Sequence, residues 1–249
     1  MKSIIKVLKN IFPYEITLFL SDINFHLSKL KRIYLNDSKF ASSGLDNKLS
    51  KYLNYKNGFY IELGAHDGIF SSNTYFLQKK LNWTGLLIEP SLDLFFKCVN
   101  NRGNLNIVLN YACVSFDYDK KFVEMLYSGA MTVQKNKNSD IKDYYLHAKQ
   151  GMKFVKNYNQ LIEFCARAKT LNEILTDNNI RKKIDFLSID TEGVELEVLK
   201  GLDFDEFKFK YILVESRDID RIVNFFNTKQ YVLEEQLTEI DFLFHNKNY

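Results

Sequence analysis

At 249 residues the chain is long enough for one large α/β domain, and 46% hydrophobic residues are enough to fill its core. A net charge of +3 is too small to point to a nucleic-acid partner, and two prolines and ten glycines argue against a long low-complexity linker. The three cysteines (Cys98, Cys113, Cys165) are odd in number and form no CxxC pair, which fits a reducing, cytoplasmic setting and no structural zinc.

The charge is unevenly spread. Residues 1–50 hold 8 Lys/Arg against 4 Asp/Glu, leaving 26 against 27 in residues 51–249. Ile4, Ile5, Val7, Leu8, Ile11 and Phe12 recur near helical spacing with Lys2, Lys6 and Lys9 between them, which predicts a helical arm over residues 1–57. This arm has two readings. Residues 1–20 lie on a membrane surface near a lipid-linked substrate, or the helix packs on the body or on a second copy in a homo-oligomer. Lys6, Lys9, Pro13 and Glu15 break the apolar stretches, so the start does not read as a signal peptide. The longest apolar runs fall short of a membrane-spanning helix.

From Gly58 the texture changes, and residues 58–249 read as one Rossmann-like domain. Phe59–Leu63 is a strand ending in glycine, and a helix capped by Ser71, Ser72 or Asn73 runs to about Leu81. Thr84–Ile88 is a second strand, a helix starts at Glu89-Pro90-Ser91, and Asn106–Tyr111 is a third strand. Ala112–Phe116 and Phe122–Leu126 are expected to form a hairpin. Residues 127–169 are polar and weakly periodic and read as an irregular insertion over the site. A short helix follows over Thr170–Asn178, then a strand at Ile184–Ile189, a helix through Val194–Leu199 stopped by Gly201, and a strand at Phe209–Val214. Arg217–Thr228 reads as helix, and Tyr231–Glu235 with Ile240–Phe244 as a closing antiparallel pair. The order predicts an open, doubly wound, mostly parallel α/β sheet.

Three motifs carry chemistry. Ile61-Glu62-Leu63-Gly64-Ala65-His66-Asp67-Gly68 is a strand that ends in glycine, where backbone can approach a ligand. Gly64 and Gly68 do not make the GxGxxG of dinucleotide binding. Glu62 and Asp67 would repel a pyrophosphate but suit a cationic ligand such as S-adenosylmethionine (SAM); a simple tight turn explains the glycines equally well. Glu89, 21 residues beyond Gly68 at the end of the next strand, is placed to accept hydrogen bonds from both ribose hydroxyls of an adenosine, in NAD as well as in SAM. Ser188-Ile189-Asp190-Thr191-Glu192-Gly193 ends the fourth strand, at the rim where such sheets bind ligands, and Glu215 ends the fifth. Asp190 is a candidate to orient substrate, to contact the SAM amino group or, with Glu215, to hold a divalent cation such as Mg. Glu192 is a candidate general base. The competing reading is helix capping by Asp190 or Thr191. His66 either packs beside the ligand or exchanges a proton near neutral pH. Trp83, Tyr127, Tyr144, Tyr145 and Tyr158 are core residues or stacking contacts for a sugar or base.

Glu62–Gly68, Gly85–Ser91 (GLLIEPS) and Asp185–Phe204 (DFLSIDTEGVELEVLKGLDF) together resemble the FkbM-type methyltransferase family, over about Gly58 to Phe244. The resemblance implies a SAM-dependent enzyme that methylates hydroxyl oxygens, often of sugars in glycans. It maps Glu62, Gly64 and Gly68 onto the SAM loop, Glu89 onto the ribose acid, and Asp190 and Glu192 onto the acidic motif at the transfer site. His66 and Asp67 depart from the plainer DIGANVG form of the loop. The candidate cofactor contacts are then Glu62, Gly64, Ala65, His66, Asp67, Gly68, Asn73, Glu89, Pro90 and Asp190. The candidate catalytic groups are Asp190, Glu192, Glu215 and His66, and the expected partner is a sugar or glycan acceptor. An NAD(P)-linked oxidoreductase shares the fold and Glu89, and a SAM-fold protein without catalysis would serve as a binding partner. The missing third glycine weighs against the first, and the intact Glu62, Glu89 and Asp190 against the second.

Overall fold

The computed structural model describes residues 40–155 and 160–249. The expected helix at residues 4–12, the membrane contact of residues 1–20 and Tyr158 lie outside the described residues. Among the described residues, no helix is long and apolar enough to cross a membrane.

Strand β1 (Phe59–Leu63) leads through helix α2 (Tyr75–Leu81) to β2 (Thr84–Ile88), and through α3 (Leu92–Arg102) to β3 (Ile107–Leu109). Among the described residues, a 3-10 turn (Ser42–Gly44) and helix α1 (Leu45–Leu49) precede β1. Later in the chain come α5 (Leu171–Asp177), β8 (Lys183–Ile189), α6 (Glu195–Leu199), β9 (Lys208–Glu215), α7 (Ile219–Phe226), β10 (Tyr231–Gln236) and β11 (Asp241–Asn246). They form a seven-stranded sheet in the order β10-β11-β9-β8-β1-β2-β3. The five strands β9 to β3 run parallel, and β11 lies antiparallel between β9 and β10. This is the expected doubly wound sheet with a closing antiparallel pair. Its central strands read as continuous apolar runs because helices cover both faces. Ile61, Leu86, Leu187 and Ile212 pack on one side of the sheet, and Tyr60, Leu87, Phe186 and Leu213 on the other.

The chain leaves β1 in one direction toward β2 and β3, then returns to place β8 on the other side of β1. That reversal opens a crevice at the carboxyl ends of β1 and β8. Leu63 pairs with Ile189 there, which brings Gly64 beside Asp190.

The region read as an irregular insertion is built differently from the expectation. Its strands β6 (Val133–Gln134) and β7 (Ile162–Thr170) join β4 (Ala112–Val114) and β5 (Phe122–Tyr127) in a second sheet, in the order β4-β7-β5-β6. Helix α4 (Tyr144–Gly151) lies between β6 and β7 in sequence. The hairpin expected from Ala112–Phe116 and Phe122–Leu126 does not form. Strand β7 sits between those segments, parallel to β4 and antiparallel to β5. The reason is an alternating strand: Phe164, Ala166 and Ala168 pack against Ala112, Val114, Val123 and Met125, while Glu163, Cys165 and Arg167 face out. Right after β7, Thr170 and Glu173 form a reciprocal capping box that starts α5 (Glu173 N to Thr170 Oγ1 3.2 Å, Thr170 N to Glu173 Oε2 3.0 Å).

Residues 40–53 of the expected arm are folded into the body. Phe40, Leu45, Leu49 and Leu53 join Tyr75, Phe76 and Trp83 in one core cluster. Trp83 is fully buried and donates its indole N–H to Tyr55 O (2.6 Å), so it is a core residue and not a stacking platform for substrate.

Candidate active site

The glycine bend after β1 is fixed by close approach. Gly64 has φ +74°, and a Cβ there would lie 1.9 Å from the Asp190 carbonyl oxygen. Only glycine lets the first loop touch the Asp190 backbone. The Gly64 and Ala65 amides donate to Ile88 O (3.0 and 3.1 Å), which ties the bend to the end of β2. Glu89 follows immediately. Its Oε2 accepts from His66 N (2.9 Å) and its Oε1 from Ser91 N (2.8 Å). The residue is 4% exposed, and burial pushes its carboxyl up to about 7. His66 holds a left-handed φ of +50°, a conformation that costs a non-glycine residue about 1–2 kcal/mol and recurs at functional sites.

Gly64, His66, Glu89, Tyr111, Asp190 and Glu192 line one cleft of about 720 Å³, its open mouth included. Pro90 also lines it.

The far wall is acidic. Carboxylate oxygens of Asp190, Glu192 and Glu215 lie within 4.8 Å of one another. Burial, then the like charges of Glu215 and Glu192, push Asp190 well above the usual carboxylate range. Burial and the charge of Glu192 raise Glu215 to about 7. Like-charged carboxyls so placed hold their protons to higher pH than free ones. Arg217, just past β9, bridges the cluster, with one guanidinium nitrogen 3.1 Å from Glu192 Oε2 and 3.0 Å from Glu215 Oε1. The three carboxylates are spaced as ligands for a divalent cation, but Arg217 already balances two of them.

The loop holding Asp190 is shaped by an acid the sequence reading did not single out. Glu192 and Gly193 are both left-handed (φ +55° and +95°). Glu195 Oε1 accepts from Thr191 N (2.9 Å), Thr191 Oγ1 (3.1 Å) and Gly193 N (3.0 Å). The amides expected to be capped by Asp190 or Thr191 are therefore capped by Glu195, which frees Asp190 for the cleft. Arg217 and His147 were also missed. They meet the site only through the tertiary fold, whereas the Glu195 contact is local, four residues from Thr191.

Five predicted cofactor contacts stand behind the cleft instead of lining it. Glu62 turns into the core, where it accepts from Asn73 N (2.8 Å), Ser72 Oγ (3.0 Å) and Thr74 Oγ1 (2.5 Å). The Asp67 carboxylate accepts from Ile69 N (2.9 Å) and Phe70 N (2.8 Å). Although burial raises it, its hydrogen bonds and the nearby His66 hold it well below the usual range. Asn73 donates to Ser188 Oγ (3.1 Å), and Gly68 faces Arg102 and Cys98. Ala65 is buried beside them. The acid offered to a ligand on this side is Glu89, because Glu62 and Asp67 are consumed by bracing the loop.

This density of buried carboxyls fixes the sign of the pH response. Asp46, Glu89 and Glu195 are raised to about 6, 7 and 8 by burial. The folded chain thus holds protons that the unfolded chain has released above about pH 4–5. Their contribution to stability is full below that pH and is lost as pH rises through 6–8. The expected result is a Tm several degrees lower at pH 8.5 than at pH 5.5, read by thermal melts in matched ionic strength. A Tm that climbs between pH 6 and 8 would contradict the assignment.

Comparison with known proteins follows the same lines. Residues 62–249 match a family model described as the methyltransferase FkbM domain. No curated protein matches the chain. Among solved structures, methyltransferase FkbM from Methylobacillus flagellatus KT is similar at 14% identity and a TM-score of 0.44, over 76% of this chain and 43% of that one. This chain thus spans less than half the length of that protein. A human methyltransferase 10 domain containing protein aligns at 11% identity and TM-score 0.43, over 82% of this chain and 80% of that one. A SAM dependent methyltransferase from Aquifex aeolicus aligns at 11% identity and TM-score 0.39, over 88% and 96%. With the family match running from Glu62 in β1 through β11, the chain belongs to the FkbM methyltransferase domain family.

Proposed function

We propose that this chain is a SAM-dependent O-methyltransferase whose acceptor is a hydroxyl of a sugar in a glycan or glycoconjugate. The observation that carries the reading is one cleft with two acidic parts: Glu89 just past β2, and Asp190 with Glu192 beside the glycine bend, backed by Glu215. The residues fit the cofactor. Each Glu89 oxygen takes one backbone N–H and keeps capacity for a further donor, as a ribose diol requires. The acidic rim suits a ligand that carries both an ammonium and a sulfonium. Bound SAM supplies an activated methyl group for direct displacement by an oxygen.

The protein's share is alignment and proton handling. Gly64 lets the backbone close on the ligand. Asp190, with Glu215 close by, takes up the hydroxyl proton, since a sugar hydroxyl is a poor nucleophile while it keeps it. Arg217 holds Glu192 and Glu215 in place and limits the charge of the cluster.

The test is calorimetric titration with S-adenosylhomocysteine (SAH), and with NADH in parallel. SAH is expected to bind and NADH not. Glu89→Ala is expected to weaken SAH by about 30–100-fold, the loss of two hydroxyl contacts to a charged group at about 1–1.5 kcal/mol each. Folded protein that does not bind SAH would end the reading. With binding in hand, labelled SAM and a panel of methyl glycosides test the acceptor class.

A further inference from the structure

Helix α4 reaches the acidic wall from the second sheet. It is held rigidly: Asp143 caps it by accepting from Leu146 N (2.9 Å), and Ala148 is fully buried against Leu126, Val133 and Ile141. Between these anchors stands His147. Its Nε2 lies 2.9 Å from Glu192 Oε2, and among the described residues that nitrogen has no other partner. The contact has the distance of an ion pair without the alignment of a finished hydrogen bond. Hydrogen bonds of catalytic sites often tighten only once substrate is present.

The same stretch of insertion is strapped to the site loops elsewhere. Asp140 N donates to Gly193 O (2.9 Å), Arg217 N donates to Asp140 Oδ2 (3.0 Å), and Arg221 donates to Asn138 O (3.2 Å). A Cβ on Gly193 would lie 2.5 Å from Ser139 Oγ, so the insertion rests directly on the turn that carries Glu192. Glu192 itself is a left-handed non-glycine residue, and such a conformation persists where its surroundings impose it. The groups that face its carboxylate are His147 from α4, Arg217 from the segment after β9, and the like-charged Asp190 and Glu215.

We infer that His147 is a positioning residue: carried by the insertion, it fixes the Glu192 carboxylate at the cleft, so that the acidic wall is complete only when α4 is seated. The inference rests on the methyl-transfer reading for its consequence, and on contacts alone for its geometry. The insertion is then a working wall of the site, whose Gly129, Ala130, Thr132 and Gln134 also line the cleft.

The test uses the full chain with His147→Phe, which keeps a ring and removes the nitrogen, and His147→Gln, which keeps an N–H donor. Hydrogen–deuterium exchange is read with SAH and no acceptor. In His147→Phe, amides of residues 191–193 are expected to exchange at least tenfold faster, while those of β2 stay unchanged. His147→Gln is expected to restore most of the protection. In labelled-SAM transfer to methyl glycosides, His147→Phe is expected to lower kcat by about 10–100-fold, the usual scale for losing an orienting partner. The KM for SAM is expected to move less than twofold, because Glu89 and Gly64 are untouched. Unchanged exchange at residues 191–193, an unchanged kcat, or a His147→Gln protein as impaired as His147→Phe would each overturn the inference. Should wild-type protein methylate no glycoside while the exchange pattern holds, the clasp is supported and the fault lies with the acceptor class.

Discussion

Replacing Arg102 with methionine is expected to lower stability by about 3–5 kcal/mol, the cost of breaking a buried ion pair from one side. Arg102 is 1% exposed, yet every face of its guanidinium is used. It donates to Gly68 O (2.6 Å), Tyr60 Oη (2.5 Å), Thr74 Oγ1 (3.1 Å), Ser72 Oγ (3.2 Å) and Gln78 Oε1, with Glu62 Oε2 at 3.9 Å. Burial already pushes the Glu62 carboxyl up, with Arg102 the largest opposing influence. Methionine matches the length of the stem but leaves Glu62 without a cation and the Gly68 carbonyl without a donor. For a domain of this size the Tm is expected to fall by about 10–15 °C, at about 3 °C per kcal/mol. The double variant Arg102→Met/Glu62→Gln separates the two terms. It should recover part of the loss, because it no longer buries an unpaired charge. A single variant within 1 kcal/mol of wild type would show that Arg102 does not organise the loop.

This hub explains what the sequence could and could not reveal. The parallel sheet is legible because β1, β2, β8 and β9 are short apolar runs broken by glycine, proline or acid, and burial on both faces demands that pattern. Glu89 and Asp190 are legible because the end of a strand is a defined place in such a sheet. The direction of a side chain at that place is not. Glu62 stands inside β1 and Glu89 just past β2, and one faces the core while the other faces the cleft. What decides is Arg102, 40 residues beyond Glu62. Asp67 carried a local signal, since an Asp two and three residues before free amides forms an Asx turn. Strand β7 escaped because alanines and charged residues stand where strand formers are usual. Its period of two was nonetheless present in Phe164, Ala166 and Ala168. His147 and Arg217 had no local signal, since each meets Glu192 through a different layer of the fold.

Replacing Asp190 with asparagine is expected to lower kcat for methyl transfer by about 10²–10⁴-fold, the range for a lost general base. SAH affinity should change far less, because Glu89 and the Gly64 bend remain. The pH profile carries the sharper information. Burial is the first cause of the raised Asp190 pKa and the charge of Glu215 the second, while Glu215 itself stands at about 7. A carboxyl raised in this way is protonated, and useless as a base, on the acid side. Activity should therefore rise with pH through about 7, where Glu215 ionises, and level off once both carboxyls have lost their protons. Glu215→Gln removes the like charge but not the burial. The acid limb is expected to move to lower pH without reaching the position of an ordinary carboxylate, and Arg217 still has Glu192 to hold. A profile flat from pH 5.5 to 8.5 would remove the pair from proton transfer. A limb that stays in place in Glu215→Gln would show that burial alone sets the basicity of Asp190, and that Glu215 serves only to hold Arg217.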